Sequence, residues 1–303
     1  MRGCTPGRVL VTGAAGMLGS QLLLDVPDGW EVVGTDLAEA NAEGGPLFAA
    51  SGVDLADEAA VAKLFEEHGP FVGVIHGAAY TAVDPAEENE ALALKVNGTA
   101  AGVVAAACAG AKIPCVMVGT DFVFDGTKRT PYAENAEPSP LSAYGRTKLA
   151  GEVASVEAHP EGTRIVRTQW LYGPRGANFP RTILRLARER GELSVVDDQL
   201  GSPTSTLELS PALWDVLQSG EAGIYHAACD GHCSWFGFAS AAVSLAGVPN
   251  VKLEPCGTDA FPRPAPRPAY SVLSCDRLTA LRGRTLAPWR EALATYLEQA
   301  EPQ

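Results

Sequence analysis

The sequence predicts an α/β fold: a doubly wound parallel sheet with a smaller α/β C-terminal lobe. Two observations predict it. Through about residue 170, short β-rich apolar runs alternate with longer helical stretches, and the runs are continuously apolar, as strands covered on both faces require. Strand–helix–strand repetition in turn implies parallel pairing, because each crossover helix returns the chain to the same end of the sheet.

The strands expected in order are "RVLVTG" (8–13), "EVVGTD" (31–36), a short third strand before "GVDLAD" (52–57), "GVIHGAA" (73–79), "IPCVMVGT" (113–120) and "RIVRTQW" (164–170). Between them, "GMLGSQLLLDV", "DEAAVAKLFEEHG", "NEALALKVNGTAAGVVAAACAG" and "AYGRTKLAGEVASVEA" read as helices. After about residue 170 the rhythm breaks. "FPRTILRLARERG" reads as a helix, "LSVVDDQLGSPT" follows, then a helix near 206–219, a strand in "GIYHAAC", "WFGFASAAVSLAG", and a last helix near 288–300. The Pro-rich stretch "AFPRPAPRPAYS" (260–271) lies between folded elements, so it reads as a rigid loop rather than a linker. The expected division is residues 1–170 and 171–303, with some later segments returning to the first unit's sheet. No internal repeat is visible.

Composition excludes several classes of function. A net charge of −13 and a pI near 4.8 repel phosphate backbones, so no nucleic-acid partner is expected. A small anionic ligand held by a local pocket is still compatible. "MRGCTPGRVLVTG" lacks the apolar core of a signal peptide, and no run approaches 18 apolar residues. The expectation is a cytoplasmic protein without a membrane span. Seven dispersed cysteines, with Cys229 and Cys233 lacking paired zinc spacing, suggest reduced thiols and no metal site.

Gly13, Gly16 and Gly19 form a G-x-x-G-x-x-G pattern directly after the first strand, where the first helix opens. Backbone N–H groups and the helix dipole meet a pyrophosphate at such a junction, so the first 170 residues read as a Rossmann-like NAD(P)-binding domain and the remainder as a substrate lobe. Asp36 ends the second strand, where a carboxylate accepts hydrogen bonds from ribose hydroxyls and favours NAD over its 2′-phosphorylated relative; capping the next helix is its other reading. Asp54 either faces the adenine or caps a helix. In "GAAYTAVD" (77–84), small residues let a cofactor approach the backbone while Thr81 and Asp84 edge the pocket; a plain tight loop is an equal reading. Asn97, mildly unfavourable inside a helix, hints at a polar task directed inward.

Thr120 stands at the end of the fifth strand, and ligands in open α/β sheets bind beyond such ends. Tyr144 and Lys148, four apart, share one face of the next helix. Spacing alone arises by chance about once in seven chains of this composition. Convergence with Thr120 makes the pair a catalytic candidate.

These motifs resemble the extended short-chain dehydrogenases/reductases. Further segments narrow the resemblance to the dTDP-4-dehydrorhamnose reductase family: "AAYTAVDPAEEN", "TDFVFDGT", "PLSAYGRTKLAGE", "RTQWLYG", "NFPRTILRLA", "VVDDQLGSPT", "GIYHAACDGHCSW" and "FPRPAPRPAYS", in family order over nearly the whole chain. The chain departs from the family pattern at His76, Gly119 and Phe122, usually Asn, Ser and Tyr. It departs again at Tyr270 and Val272, where the family tends to carry Asn and Arg around Ser271. These departures bear on the choice of sugar.

The resemblance implies NADPH or NADH as cofactor, a dTDP-sugar as partner and a homodimer as the candidate assembly. It implies reduction of the C4 ketone of a dTDP-4-keto-6-deoxy sugar, foremost dTDP-4-dehydro-L-rhamnose to dTDP-L-rhamnose. Alternatives are a related keto-sugar in a natural-product deoxysugar pathway, and a non-catalytic subunit like the regulatory subunit of methionine adenosyltransferase. Tyr144 would donate the proton, with Lys148 lowering its pKa and bonding the nicotinamide ribose, and Thr120 would aim the carbonyl. Phe122 stands where the related dehydratases carry a Glu base, which argues against dehydration. Matched positions imply cofactor contacts from Met17, Leu18, Leu55, Ala78, Ala79, Tyr80 and Trp170. They imply substrate contacts from Thr81, Val83, Asp84, Asp121, Phe122, Trp170, Asn178, Gln199, Thr204 and Trp235, with Arg267 as the diphosphate's guanidinium.

Overall fold

A single seven-stranded, all-parallel sheet organises the chain. The computed structural model describes residues 5–37 and 50–300. In chain order the sheet takes β1 (Arg8–Thr12), β2 (Glu31–Asp36), β3 (Ala50–Ser51), β4 (Gly73–His76), β5 (Cys115–Thr120) and β6 (Thr163–Thr168). One flank carries α1 (Met17–Leu22), and the other α2 (Glu58–His68), α3 (Val83–Ala86), α4 (Glu90–Leu94), α5 (Ala100–Ala111) and α6 (Ala143–Ala158). The remaining elements are β7 (Leu171–Tyr172), α7 (Phe179–Arg190), β8 (Glu192–Val196), β9 (Leu200–Gly201), β10 (Thr204–Ser205), α8 (Thr206–Ser219), β11 (Gly223–His226), β12 (Cys233–Ser234), α9 (Trp235–Leu245), β13 (Lys252–Cys256), α10 (Asp276–Arg282) and α11 (Trp289–Ala300).

Spatial order is β11-β6-β5-β4-β1-β2-β3. The order reverses between β1 and β4, which opens a crevice at the carboxyl ends of these strands. Burial explains the continuous apolar runs. Val9 and Val11 pack on one face with α8 residues Leu209, Leu213 and Trp214, while Leu10 packs on the other with Val104 and Cys108 of α5. Both faces are therefore dry, as parallel sheets require. β11 pairs in parallel with β6, Ile224 opposite Ile165, so the chain beyond residue 170 supplies both an edge strand and a covering helix to the first sheet. The lobe has its own core around Tyr172, Ile183, Leu184, Phe238, Leu293 and Tyr296.

Glu90–Ala111 forms one continuous helix of 22 residues, with a π-helical segment at Lys95–Thr99 between α4 and α5. By length and mean hydropathy (1.5) it could cross a membrane, although no unbroken apolar run of that length exists in the sequence. Its Ala100, Ala101, Val104 and Cys108 are core residues against the sheet. The first helix is shorter than its apolar pattern suggests, ending at Leu22, and β13 and α10 were not expected from the sequence. β13 escapes notice because Lys252, Glu254 and Pro255 break its apolar pattern.

Candidate active site

A cleft of about 600 Å³ opens above the carboxyl ends of β1, β2, β4, β5 and β6. Its nucleotide end is built from backbone. Gly13 leaves β1 with φ +71°, and a Cβ there would sit 2.7 Å from the Ala78 amide nitrogen, so only glycine serves. Gly19 packs α1 directly against the Gly13 carbonyl with no room for a side chain. Gly16, the N-cap of α1, offers no capping side chain to the first-turn N–H groups. The cradle leaves room and free backbone N–H groups for a pyrophosphate, so the residues at this end of the cleft fit a dinucleotide. Met17, Leu18, Leu55, Ala78 and Ala79 line it, and Asp36 stands at its edge with Oδ2 accepting from the Ala15 amide at 3.0 Å.

Asp54 lines the cleft but is not a helix cap. Its Oδ1 accepts from Ala56 N at 3.0 Å and its Oδ2 meets Lys95 Nζ at 2.7 Å, and that ammonium holds the carboxyl below its usual range. The cap of α2 is Asp57. Asn97, in the π-helical segment, has its inward task in the loop after β4. Its Oδ1 accepts from Tyr80 N at 2.8 Å, and its Nδ2 donates to Tyr80 O at 3.2 Å and Thr147 Oγ1 at 3.1 Å. Tyr80 itself packs beside Tyr144 against Ala86, Ala93 and Ala143 and does not line the cleft. Thr81 and Val83 do.

At the other end of the cleft, Thr120, Tyr144 and Lys148 converge. Ser142 caps α6 by accepting from Gly145 N at 3.1 Å, which starts the helix so that Tyr144 and Lys148 face the cleft one turn apart. Lys148 Nζ donates to Val118 O at 2.7 Å. Thr120 Oγ1 accepts from Phe122 N at 3.2 Å and donates to Asp121 Oδ1 at 3.1 Å. Phe122 sets its ring edgewise on Tyr144, centroids 5.5 Å apart.

Burial dominates the electrostatics. It pushes the Tyr144 phenol up to about 12, with Thr120 offsetting and Asp121 reinforcing the rise. It brings Lys148 down to about 8, against the pull of Glu152. It lifts Asp121 to about 6, with Ser271 and then Thr120 offsetting. The expected lowering of Tyr144 by Lys148 is therefore not found: the ammonium is spent on the Val118 carbonyl and is itself disfavoured by burial.

The lobe residues are arranged differently. Trp170 lines the cleft with φ +47°, a left-handed conformation costly for a bulky residue. Its indole stacks on Trp235 at 3.6 Å, and Gly201 makes room for it, since a Cβ there would approach the ring to 2.5 Å. Five expected substrate residues do not line the cleft and bond within the lobe or to its rim. Trp235 Nε1 donates to Gln199 Oε1 at 3.2 Å, and Gln199 Nε2 donates to Thr258 Oγ1 at 2.9 Å. Asn178 caps α7 and accepts from Tyr296 OH at 3.2 Å. Thr204 Oγ1 donates to Ser202 O at 3.0 Å. Arg267 forms two 2.9 Å bonds to the Asp84 carboxylate, which thereby also lies off the cleft. Conversely, Thr168 and Gln169, at and just beyond the end of β6, line the cleft unforeseen. The strand-end rule that selects Thr120 on β5 would have selected them on β6.

Comparison with known proteins agrees with this geometry. The model of the RmlD substrate binding domain family matches residues 7–301. A dTDP-4-dehydrorhamnose reductase from Mycolicibacterium smegmatis is 41% identical, over 94% of this chain and 84% of the relative. The chain belongs to the dTDP-4-dehydrorhamnose reductase family. It is an NAD(P)H-dependent oxidoreductase of the dTDP-4-keto sugar reductase group. A dTDP-4-keto-6-deoxy-D-glucose reductase from Streptomyces niveus is 38% identical, over 97% of this chain and 96% of the relative. The crystal structure of a dTDP-4-dehydrorhamnose reductase from Bacillus anthracis, in complex with NADP, superposes with a TM-score of 0.88 at 34% identity, covering 99% of this chain and 100% of that one.

The departures from the reductase pattern acquire physical reasons. A serine at Gly119 would place its Cβ 2.7 Å from Glu152 Oε1 and 2.9 Å from Arg167 Cγ. Those two side chains form a fully buried 2.7 Å ion pair, so glycine accompanies it. His76 is buried, shares a 2.9 Å hydrogen bond with Thr12 Oγ1, and is kept neutral because burial, then Lys148, pushes its pKa down to about 3.

Proposed function

We propose that the chain reduces the C4 ketone of a dTDP-4-keto-6-deoxy sugar, foremost dTDP-4-dehydro-L-rhamnose to dTDP-L-rhamnose. The observation that carries this reading is Tyr144, held protonated by burial beside Thr120 at the strand-end crevice. Ketone reduction needs the phenol, not the phenolate. A pKa of about 12 keeps the proton in place at neutral pH, yet a nascent alkoxide is a stronger base and takes it.

A bound reduced nicotinamide supplies the hydride. Gly13, Gly16 and Gly19 cradle its pyrophosphate, Asp36 faces the adenosine ribose, and Lys148 binds the nicotinamide ribose while keeping α6 anchored to Val118. Thr120 positions the substrate carbonyl. Its single proton is engaged by Asp121 in this structure, so bonding the substrate requires that proton to turn toward the ketone. Thr81, Val83, Asp121, Phe122 and Trp170 wall the sugar end. Arg267 and the Trp235–Gln199 pair belong to the substrate's nucleotide side, reached by rearrangement of their present bonds.

A second reading is reduction of a related dTDP-4-keto sugar, favoured by the Streptomyces niveus relative and by the changes around Ser271. A non-catalytic subunit is disfavoured because Thr120, Tyr144 and Lys148 all reach one cleft. The test is NADPH and NADH oxidation by the purified protein with a panel of dTDP-4-keto-6-deoxy sugars. Turnover of dTDP-4-dehydro-L-rhamnose above its congeners is expected; turnover of none sinks the reading.

A further inference from the structure

We propose that Gln169, together with Asp121, forms a donor–acceptor clamp for a ring hydroxyl of the sugar, making Gln169 a specificity-determining residue. The inference rests on the reductase function proposed above. Gln169 is 2% exposed and lines the cleft. Its Oε1 accepts two hydrogen bonds, from Ser202 N at 3.0 Å and Ser271 Oγ at 3.2 Å. The Ser202 N–H can only donate, so its partner is the amide oxygen and the orientation of the amide is fixed. The opposite end, Nε2, is buried with no partner among the described residues.

Asp121 presents the complementary orphan. One carboxylate oxygen takes the Thr120 hydroxyl, while Oδ2 is buried without a hydrogen-bond partner, and Asp121 lines the same cleft. Ser271 stands between the two side chains: its one hydroxyl proton serves either Gln169 Oε1, at 3.2 Å, or the Asp121 carboxyl, whose charge it then favours. Thr168 Oγ1, next to Gln169, is a third buried polar atom on this wall without a partner. Buried polar groups are rarely left unpaired, and three on residues lining one cleft point to an occupant of matching polarity. A hydroxyl meets both demands at once, accepting from the Gln169 amide and donating to the Asp121 carboxylate. A methyl group or a hydrogen meets neither.

Asp121 directly follows Thr120, so the clamp lies beside the reacting carbonyl. In a 4-keto-6-deoxy sugar the hydroxyl adjacent to the ketone is on C3, and that is the group the clamp selects. Sites built to bond a hydroxyl reject analogues that lack it far more strongly than apolar pockets reject a missing methylene.

The test compares kcat/KM for a dTDP-4-keto-6-deoxyhexose and its 3-deoxy counterpart in wild type, Gln169→Leu and Ser271→Ala. Wild type is expected to favour the 3-hydroxylated sugar by about 100-fold or more. Gln169→Leu should collapse the ratio to a few-fold, almost wholly through the hydroxylated sugar, with the KM for NADPH unchanged. Ser271→Ala, a milder change that loosens the amide and removes the hydroxyl beside the Asp121 carboxyl, should lower the ratio part of the way and covers the case of a misfolded Gln169→Leu. Equal losses on both sugars, or an unchanged ratio in both variants, overturn the clamp while leaving the reductase function standing. Wild-type turnover of neither sugar overturns the function and the clamp together.

Discussion

The two ends of the molecule use polar side chains in opposite ways. In the sheet half, Thr120, Tyr144, Lys148, Asp121, Thr168 and Gln169 face one cleft, and several keep buried polar atoms unsatisfied. In the lobe, Asn178, Gln199, Thr204, Trp235 and Arg267 are occupied by one another, by backbone or by Asp84. A parallel sheet fixes where strand ends point whatever the ligand, so its site is preformed. These five lobe residues stand at element ends or in loops and take partners from within the protein, although Tyr172 in the lobe core keeps its hydroxyl unpaired. The difference separates a sheet-end cleft with unpaired buried polar atoms from lobe side chains held in internal bonds, which ligand binding would have to exchange.

The largest expected effect lies in the preformed half. Tyr144→Phe removes the proposed proton donor but preserves the ring that Phe122 packs against. It should cost at least about 100-fold in kcat while NADPH affinity and the thermal transition hold. Near-normal turnover would remove Tyr144 from the mechanism.

Arg267→Ala probes the lobe's exchange of bonds. If the guanidinium leaves Asp84 for the substrate diphosphate, KM for the dTDP-sugar should rise by about 1.5–3 kcal/mol, roughly 10- to 150-fold, with NADPH affinity unaffected. Arg267→Lys should recover only part, because an ammonium lacks the two-pronged geometry. A wild-type KM with a lowered melting temperature would make Arg267 a strut for Asp84.

Asp36 tests whether the preformed half also sets cofactor choice. Its carboxylate, fixed by Ala15 N, should disfavour a 2′-phosphate, so NADH is expected to serve at least as well as NADPH. Asp36→Ala should shift the ratio of the two kcat/KM values toward NADPH by about 1 kcal/mol, roughly fivefold. A strong wild-type preference for NADPH would show the carboxylate turned from the ribose.

The smallest effect separates capping from binding. Asn178 accepts from Arg181 N at the start of α7, so Asn178→Ala should cost about 1 kcal/mol of stability, read as a drop of a few degrees in Tm. An accompanying rise in KM for the dTDP-sugar would show that the cap also reaches the ligand.

The sequence by itself determined what depends on local periodicity and chain order. Continuous apolar runs specified buried parallel strands. The glycine spacing after β1 and the four-residue Tyr144–Lys148 spacing placed chemistry at strand ends, because topology sends every carboxyl end to the same edge. Tertiary structure alone decided which polar groups meet. Arg267 pairs with Asp84 across 183 residues, and Asn97 secures Tyr80 through the backbone of a loop 17 residues earlier. Gln169 is oriented by Ser202 and Ser271, 33 and 102 residues onward. The Tyr144 pKa likewise follows from burial rather than from its spacing to Lys148. Such pairings are short-range and directional. Those of Arg267 and Gln169 exist only once the lobe has docked on the sheet, and periodicity along one segment carries no record of any of them.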